Sequence, residues 1–189
     1  MIRKLIYTIA TVLFALIAYT ALRLTIPTAE VQQVSMTPTL QPGDRLVMSK
    51  VAYMVDKPKR GDILTFYPLQ QPIPSLLEEV FPRYTTTVPL IKRVIALPGD
   101  TVEVNEGKVI VNGIQLSEPY IKEAPRYTMH LIKIPPDEYF VLGDNRNNSN
   151  DSRLGWTVSS DRIIAKAWLI YWPLSKIGAA PNYHQYAVP

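Results

Sequence analysis

Residues 5–22 carry no charged side chain and are mostly Leu, Ile, Ala, Val, Phe and Tyr. As a helix these 18 residues rise about 27 Å, close to the thickness of the hydrocarbon core of a bilayer. Arg3 and Lys4 precede the run, and Arg23 follows it, where its aliphatic stem can carry the guanidinium to the interface. The positive-inside tendency places the N-terminus in the cytoplasm and everything after Arg23 on the exported side. A cleaved signal peptide is the competing reading. The run exceeds a usual signal-peptide core, however, and Pro27-Thr28-Ala29 is a poor substitute for an Ala-X-Ala cleavage site. Residues 1–26 are therefore expected to form a short cytoplasmic tip and an uncleaved single-pass anchor.

After Pro27 the pattern changes. Short β-branched and aromatic stretches alternate with Pro, Gly, Asp and Asn, and 45–52, 62–67, 91–97, 101–104, 108–111, 138–142 and 163–172 read as strands. Val102 and Val104 alternate with Thr101 and Glu103. Val109 and Val111 continue the pattern beyond Asn105-Glu106-Gly107, which predicts a hairpin. No sustained 3.6-residue period occurs beyond the anchor, although the stretch from Ser75 to Val80 suits a short helix, and the 17 prolines argue against long ones. Residues 27–189 are expected to be one exported domain, mainly antiparallel β, as two sheets or a partly closed barrel.

Two stretches read as loops or insertions. Residues 69–90 set Pro72, Pro74, Pro82 and Pro89 among apolar Ile73, Leu76, Leu77, Val80 and Phe81. An ordered surface excursion is the favoured reading there, and a lip resting on the bilayer the sharper one. Residues 114–136 form a long connection, with a short strand of its own expected near 128–134.

Composition narrows the chemistry. Beyond the anchor lie roughly 160 residues, enough for a single packed core. The formal net charge of +4 is mild and no block of like charge suggests a nucleic-acid surface. The chain has no cysteine, which excludes disulfides and thiolate metal sites and leaves the compartment open. His130 and His184 are its only histidines, so a Ser-His-Asp triad or Cys-His pair has little or no raw material. Any nucleophile must be activated in another way.

Lysine can be that activating base if burial among apolar groups brings its pKa from about 10.4 towards 7–8. Lys92 fits, because Leu90 and Ile91 precede it and Val94, Ile95 and Ala96 follow the neighbouring Arg93. In a strand Lys92 and Arg93 point to opposite faces, so one can enter a dry pocket while the other pairs with a carboxylate. Alone, Lys92 would be read as a solvated edge charge and Ser35 as a turn serine. What changes the reading is a joint pattern behind an anchor: Ser35-Met36-Thr37-Pro38-Thr39-Leu40, then Lys92-Arg93-Val94-Ile95-Ala96-Leu97-Pro98-Gly99-Asp100. The third run is Gly143-Asp144-Asn145-Arg146 through Ser149, Asp151, Ser152 and Arg153.

With these three runs the sequence resembles the type I signal peptidases, which remove signal peptides from exported proteins. The resemblance extends from the anchor to about Trp172. A lesser run, Lys59-Arg60-Gly61-Asp62-Ile63, also matches, and Asp44-Arg45 and 109–113 look most like the cyanobacterial and thylakoid branch. The resemblance implies Ser35 as nucleophile, Lys92 as general base, and Ser149 as a second serine orienting the lysine amine. It implies supporting ion pairs of Asp144 with Arg93 and of Asp151 with Arg153. Asn145, Arg146 and Asn148 would shape the turn, a role that an Asx-rich loop held by its own hydrogen bonds would explain equally well. The backbone N–H of Ser35 is the natural first oxyanion donor. Many family members place a serine or threonine two residues before the nucleophile as the second donor. Here that position is Gln33, so either its carboxamide substitutes or another donor serves.

Substrate would add as an extended strand at the sheet edge near Gln33 and Ser35, with shallow apolar pockets lined by Met36, Leu64, Tyr67 or Ile91. The resemblance implies preprotein signal peptides and the lipid bilayer as partners, no nucleic acid, no cofactor and no metal. It implies a plasma or thylakoid membrane location. The alternatives are a self-cleaving Ser-Lys repressor protease, disfavoured by the anchor, and a catalytically impaired, membrane-tethered β domain acting as a binding module. His130, His184 and residues 179–189 carry no readable function and are expected at the surface.

Overall fold

The computed structural model describes residues 1–75, 77, 78 and 87–184. Helix α1 (Ile2–Thr25) buries none of its residues and is long and apolar enough to cross a membrane by length and composition. Its threonine hydroxyls are satisfied within the helix. The hydroxyls of Thr8, Thr11, Thr20 and Thr25 donate to carbonyls four residues back at 2.7–2.9 Å. Such bonds satisfy hydroxyls in a medium that offers no water.

The helix runs directly into β1 (Thr28–Glu30), which pairs antiparallel with β2 (Arg45–Ser49). The joint is tied from the far side, since Met48 N–H donates to Pro27 O and Lys50 N–H to Thr25 O at 2.8 and 3.0 Å. The strand expected over 45–52 ends early. Ser49 Oγ accepts from Ala52 N–H at 3.2 Å, and a short helix α2 (Val51–Val55) follows. A hydroxyl that captures a backbone donor three residues on favours a helical turn over continued extension.

The remaining strands are β3 (Ile63–Phe66), β4 (Leu90–Ala96), β5 (Thr101–Asn105), β6 (Lys108–Val111), β7 (Ile114–Gln115), β8 (Met129–Lys133), β9 (Glu138–Leu142), β10 (Val158–Ser159), β11 (Ile163–Trp172) and β12 (Gly178–Ala179). Among the described residues the larger sheet has the order β1-β2-β11-β3-β4-β9-β10, with β12 also pairing β11, and curls into a half-barrel. A smaller sheet has the order β7-β6-β5-β8. All pairings are antiparallel, so the mainly β expectation holds. In the β5–β6 hairpin Asn105 pairs with Lys108, and Glu106 and Gly107 both take positive φ (49° and 72°) as the turn requires. The strand expected near 128–134 is β8, paired with β5. Of the helix expected from Ser75 to Val80, residues 77 and 78 are helical, and 76, 79 and 80 lie outside the described residues.

Three apolar clusters explain the layering. Val31, Met36, Leu40, Leu46, Met48 and Ile63 pack with Ala165, Ala167 and Ile170 beneath β1, β2, β3 and β11. Ile95, Phe140 and Leu142 join the inward valines of the β5–β6 hairpin, gluing the small sheet to β4 and β9. Leu64, Phe66, Val94, Tyr139, Val141 and Val158 form the third cluster. Strand β9 is thus buried on both faces, which is why its sequence shows a continuous apolar run instead of alternation. Phe140→Ala should cost about 3–5 kcal/mol in chemical unfolding in detergent. A loss below about 1 kcal/mol would mean that the two sheets are not packed through this ring.

Candidate active site

Ser35 lies in a single 3-10 turn, Val34–Met36, and is buried. The loop after β9 holds that turn. Asn145 N–H donates to Ser35 O at 3.0 Å, and the Asn145 carboxamide donates to Val34 O and Thr37 Oγ1 at 3.1 and 3.0 Å. Asn145 therefore braces the turn bearing Ser35, beyond shaping its own loop.

Lys92, in the middle of β4, places Nζ 2.7 Å from Ser35 Oγ and 3.1 Å from Ile91 O. Burial drives the Lys92 pKa down from the ordinary lysine range to about 8, against the opposing pull of Asp151 and then Asp144. A lysine so placed holds an appreciable neutral fraction near neutral pH, and its free lone pair can take the serine proton.

Arg93, the next residue, pairs with Asp144 through two bonds, Nε to Oδ1 at 2.8 Å and Nη2 to Oδ2 at 2.7 Å. Both side chains are fully buried. Nη1 donates to Gly61 O at 2.9 Å and Pro181 O at 3.1 Å, and the guanidinium lies 4.0 Å above the Tyr120 ring. Asp151 is also buried. Its Oδ2 accepts from Gly143 N–H at 3.0 Å and its Oδ1 from Arg153 N–H at 3.3 Å, with Arg153 Nε 3.6 Å away. The Arg153 guanidinium is spent mainly on the carbonyls of Arg146 and Ser149.

Gly143 is required by close approach. A Cβ there would lie 2.3 Å from Ser35 O and 2.4 Å from Ser149 Oγ. Ser149 Oγ is buried and makes no hydrogen bond, so the expected orienting bond to the Lys92 amine is not formed; the amine uses Ile91 O instead.

An apolar groove of about 400 Å³ holds both Ser35 and Lys92 and takes in Met36, Tyr67, Ile91, Gln33 and, at the end of α1, Arg23 and Pro27. Gln33 is exposed on its wall, in extended conformation. Leu64, expected in a substrate pocket, does not line the groove. Alternation along β3 turns Thr65 and then Tyr67 to the groove and Leu64 and Phe66 into the third apolar cluster. Pro74, Glu78, Thr87 and Val88 also line it, so the described flanks of 69–90 are groove wall and more than a surface excursion.

Two buried groupings join residues of the matched runs to partners that carried no signal in the sequence. Glu118, from the long connection, accepts two bonds from Arg146 at 2.5 and 2.6 Å. Asp62 gathers Lys166, His184 and Tyr53 at 2.6, 2.8 and 3.2 Å. Burial pushes the Asp62 carboxyl up, but hydrogen bonds from His184, Lys166 and the Lys59 backbone outweigh it and hold the group below its usual range. His184, expected at the surface, is exposed there and shares a hydrogen bond with Asp62 through Nε2.

A serine hydroxyl hydrogen-bonded to a buried lysine of lowered pKa, beside an apolar groove, is equipment for acyl transfer, the chemistry of the serine peptidases. The family described as signal peptidase, peptidase S26, matches residues 3–172. The chain is 44% identical over 155 residues to signal peptidase I of Leptolyngbya laminosa, covering 79% of this chain and 71% of that protein. It is 44% identical over 149 residues to probable signal peptidase I-1 of a Synechocystis strain, covering 79% of this chain and 72% of that protein. Against thylakoidal processing peptidase 1 of Arabidopsis thaliana it is 39% identical, covering 82% of this chain and 44% of that protein. The chain belongs to the signal peptidase family, peptidase S26.

Asp144→Ala would leave Arg93 as an unpaired buried charge and should cost about 3–5 kcal/mol in chemical unfolding. Gly143→Ala should separate Ser35 from its braces and reduce kcat about 100-fold with the chain still folded. Retention of wild-type kcat in Gly143→Ala would contradict the close approach.

Proposed function

We propose that this protein is a membrane-anchored serine endopeptidase that cleaves signal peptides from exported preproteins after small residues of the Ala-X-Ala type. Ser35 is the nucleophile and Lys92 the general base. The observation that carries this reading is the 2.7 Å approach of the Lys92 amine, its pKa depressed to about 8, to Ser35 Oγ.

In acylation Ser35 Oγ attacks the scissile carbonyl while Lys92 takes the hydroxyl proton. The tetrahedral intermediate collapses, the C–N bond breaks, and Lys92 returns that proton to the leaving amine. Water then attacks the ester, giving its proton to Lys92, and the serine leaves with a proton from the ammonium. Ser35 N–H and the Gln33 carboxamide are the donors assigned to the oxyanion. Ser149 Oγ, buried and unpaired, is available to steady the amine once Ser35 is acylated.

The substrate lies extended in the groove with Met36, Tyr67 and Ile91 limiting the size of its side chains. The groove takes in Arg23 at the end of α1, so the apolar part of a signal peptide can stay in the bilayer beside the anchor while its polar end reaches Ser35. Arg3 and Lys4 before the apolar run favour an N-terminus in the cytoplasm and a β domain on the exported side, at a plasma or thylakoid membrane.

In detergent, with a preprotein bearing Ala-X-Ala, Ser35→Ala and Lys92→Ala should each abolish cleavage; activity surviving in both would sink the mechanism. Binding without any cleavage by the wild type would favour a tethered binding module instead. The pH dependence has a definite sign. Lys92 works as the neutral amine, so kcat/KM should fall about tenfold per pH unit below about 8 and level off above it. A profile flat down to about pH 5 would exclude a lysine base.

A further inference from the structure

Beyond β12 the chain turns back across the larger sheet, and each residue from 180 to 184 makes a defined contact with that sheet or with the segments flanking it. Ala180 N–H donates to Trp168 O at 2.8 Å. Pro181 O accepts from Arg93 Nη1 at 3.1 Å. Tyr183 N–H donates to Gly61 O at 3.1 Å, its ring meets Tyr120 edge-on at 5.5 Å, and His184 reaches Asp62. The most telling contact is that of Asn182. Strands β3 and β11 pair through Ala165 with Thr65 and Lys166 with Leu64, and no pairing of Ala167 with Ile63 follows. Where that rung is missing, Asn182 Oδ1 accepts from Ile63 N–H at 2.8 Å and Nδ2 donates to Ala167 O at 2.9 Å. A carboxamide offers the same donor and acceptor as a peptide group, so one side chain bridges the two strands where they part.

That bridge sits next to the catalytic strand. Ile63 pairs directly with Arg93 in the β3–β4 ladder. The carbonyls of Gly61 and Pro181 together engage Arg93 Nη1, and Tyr120, which carries the Arg93 guanidinium on its face, is met by Tyr183. The segment therefore bonds Arg93 directly through Pro181 O and meets its aromatic support, Tyr120, through Tyr183. It also helps keep water from an ion pair that is fully buried one residue from Lys92.

We propose that residues 180–184 form a positioning strap for the dyad, clasped by Asn182, which holds Arg93 and hence the adjacent Lys92 at the spacing from Ser35 that proton transfer requires. This rests on the Ser35–Lys92 reading above. None of the strap residues touches the reacting atoms; they act through Arg93.

The test uses the full chain in detergent and the Ala-X-Ala preprotein, with kcat and KM measured across pH. Asn182→Ala and Tyr183→Ala should each lower kcat about tenfold at nearly constant KM. Water admitted behind β4 should relieve the desolvation of Lys92, so the acid limb of the profile should move to higher pH. Tyr183→Phe, which keeps the ring on Tyr120, should restore the wild-type rate and profile. Near-UV circular dichroism monitors folding, and Tyr183→Ala, which leaves the clasp intact, decides the matter if Asn182→Ala does not fold. Wild-type kcat and acid limb in the folded variants would overturn the strap, as would a rate loss with an unmoved acid limb, which reports only fewer folded molecules. Cleavage surviving in Ser35→Ala and Lys92→Ala would instead remove the dyad, and the strap with it.

Discussion

Arg93 and Asp144 meet through two parallel hydrogen bonds in a space that neither shares with water, and the geometry of the site hangs on that contact. Burying two charges costs several kcal/mol per ion, which only excellent geometry and full hydrogen bonding offset. Here the guanidinium has two carbonyls and an aromatic face in addition to the carboxylate. The pair joins two segments that are distant in sequence. Arg93 adjoins Lys92 in β4, and Asp144 adjoins Gly143, whose lack of a side chain lets Ser35 O and Ser149 approach. Fixing the two neighbours fixes the amine relative to the hydroxyl, on elements stiff enough to hold the spacing.

The same pairing settles an electrostatic conflict. A lysine base needs a dry environment that disfavours its ammonium, yet Asp151 and Asp144 stand near enough to favour it. Each carboxylate is engaged elsewhere, Asp144 by Arg93 and Asp151 by the Gly143 and Arg153 backbone. Their pull on Lys92 is reduced by these partners, and desolvation prevails. A carboxylate stripped of its partners would favour the ammonium form of Lys92.

Much of this was legible in the sequence for identifiable reasons. The long strands showed because their burial is either alternating, as in β5 and β6, or continuous, as in β9. Strands β1, β7, β10 and β12 are two or three residues long, too short to carry a period, and exist through their neighbours. The end of β2 depends on one Ser49 hydroxyl bond, which no periodicity reports. At the site, Ser35, Lys92, Arg93 and Asp144 stood in specific runs, whereas Glu118, Tyr120 and Asn182 act across long sequence separations from stretches that read as loop or tail. The misplacement of Leu64 was a parity error: its neighbours Thr65 and Tyr67 face the groove, and a shift of one residue along a strand changes the face.

The junction between the anchor and the sheet is short and doubly tied, with only Ile26 and Pro27 between α1 and β1 and with β2 bonded back to both sides of the joint. A hinge is therefore not built there. For the proposed cleavage this makes the enzyme a gauge of length. With α1 in the bilayer as proposed, the height of Ser35 above its end would be set by this tied junction, and a substrate whose polar segment is too short or too long between its apolar run and its scissile bond would present the wrong peptide to Ser35. Selection of the cut would then rest on distance from the bilayer as well as on the size of the side chains entering the groove.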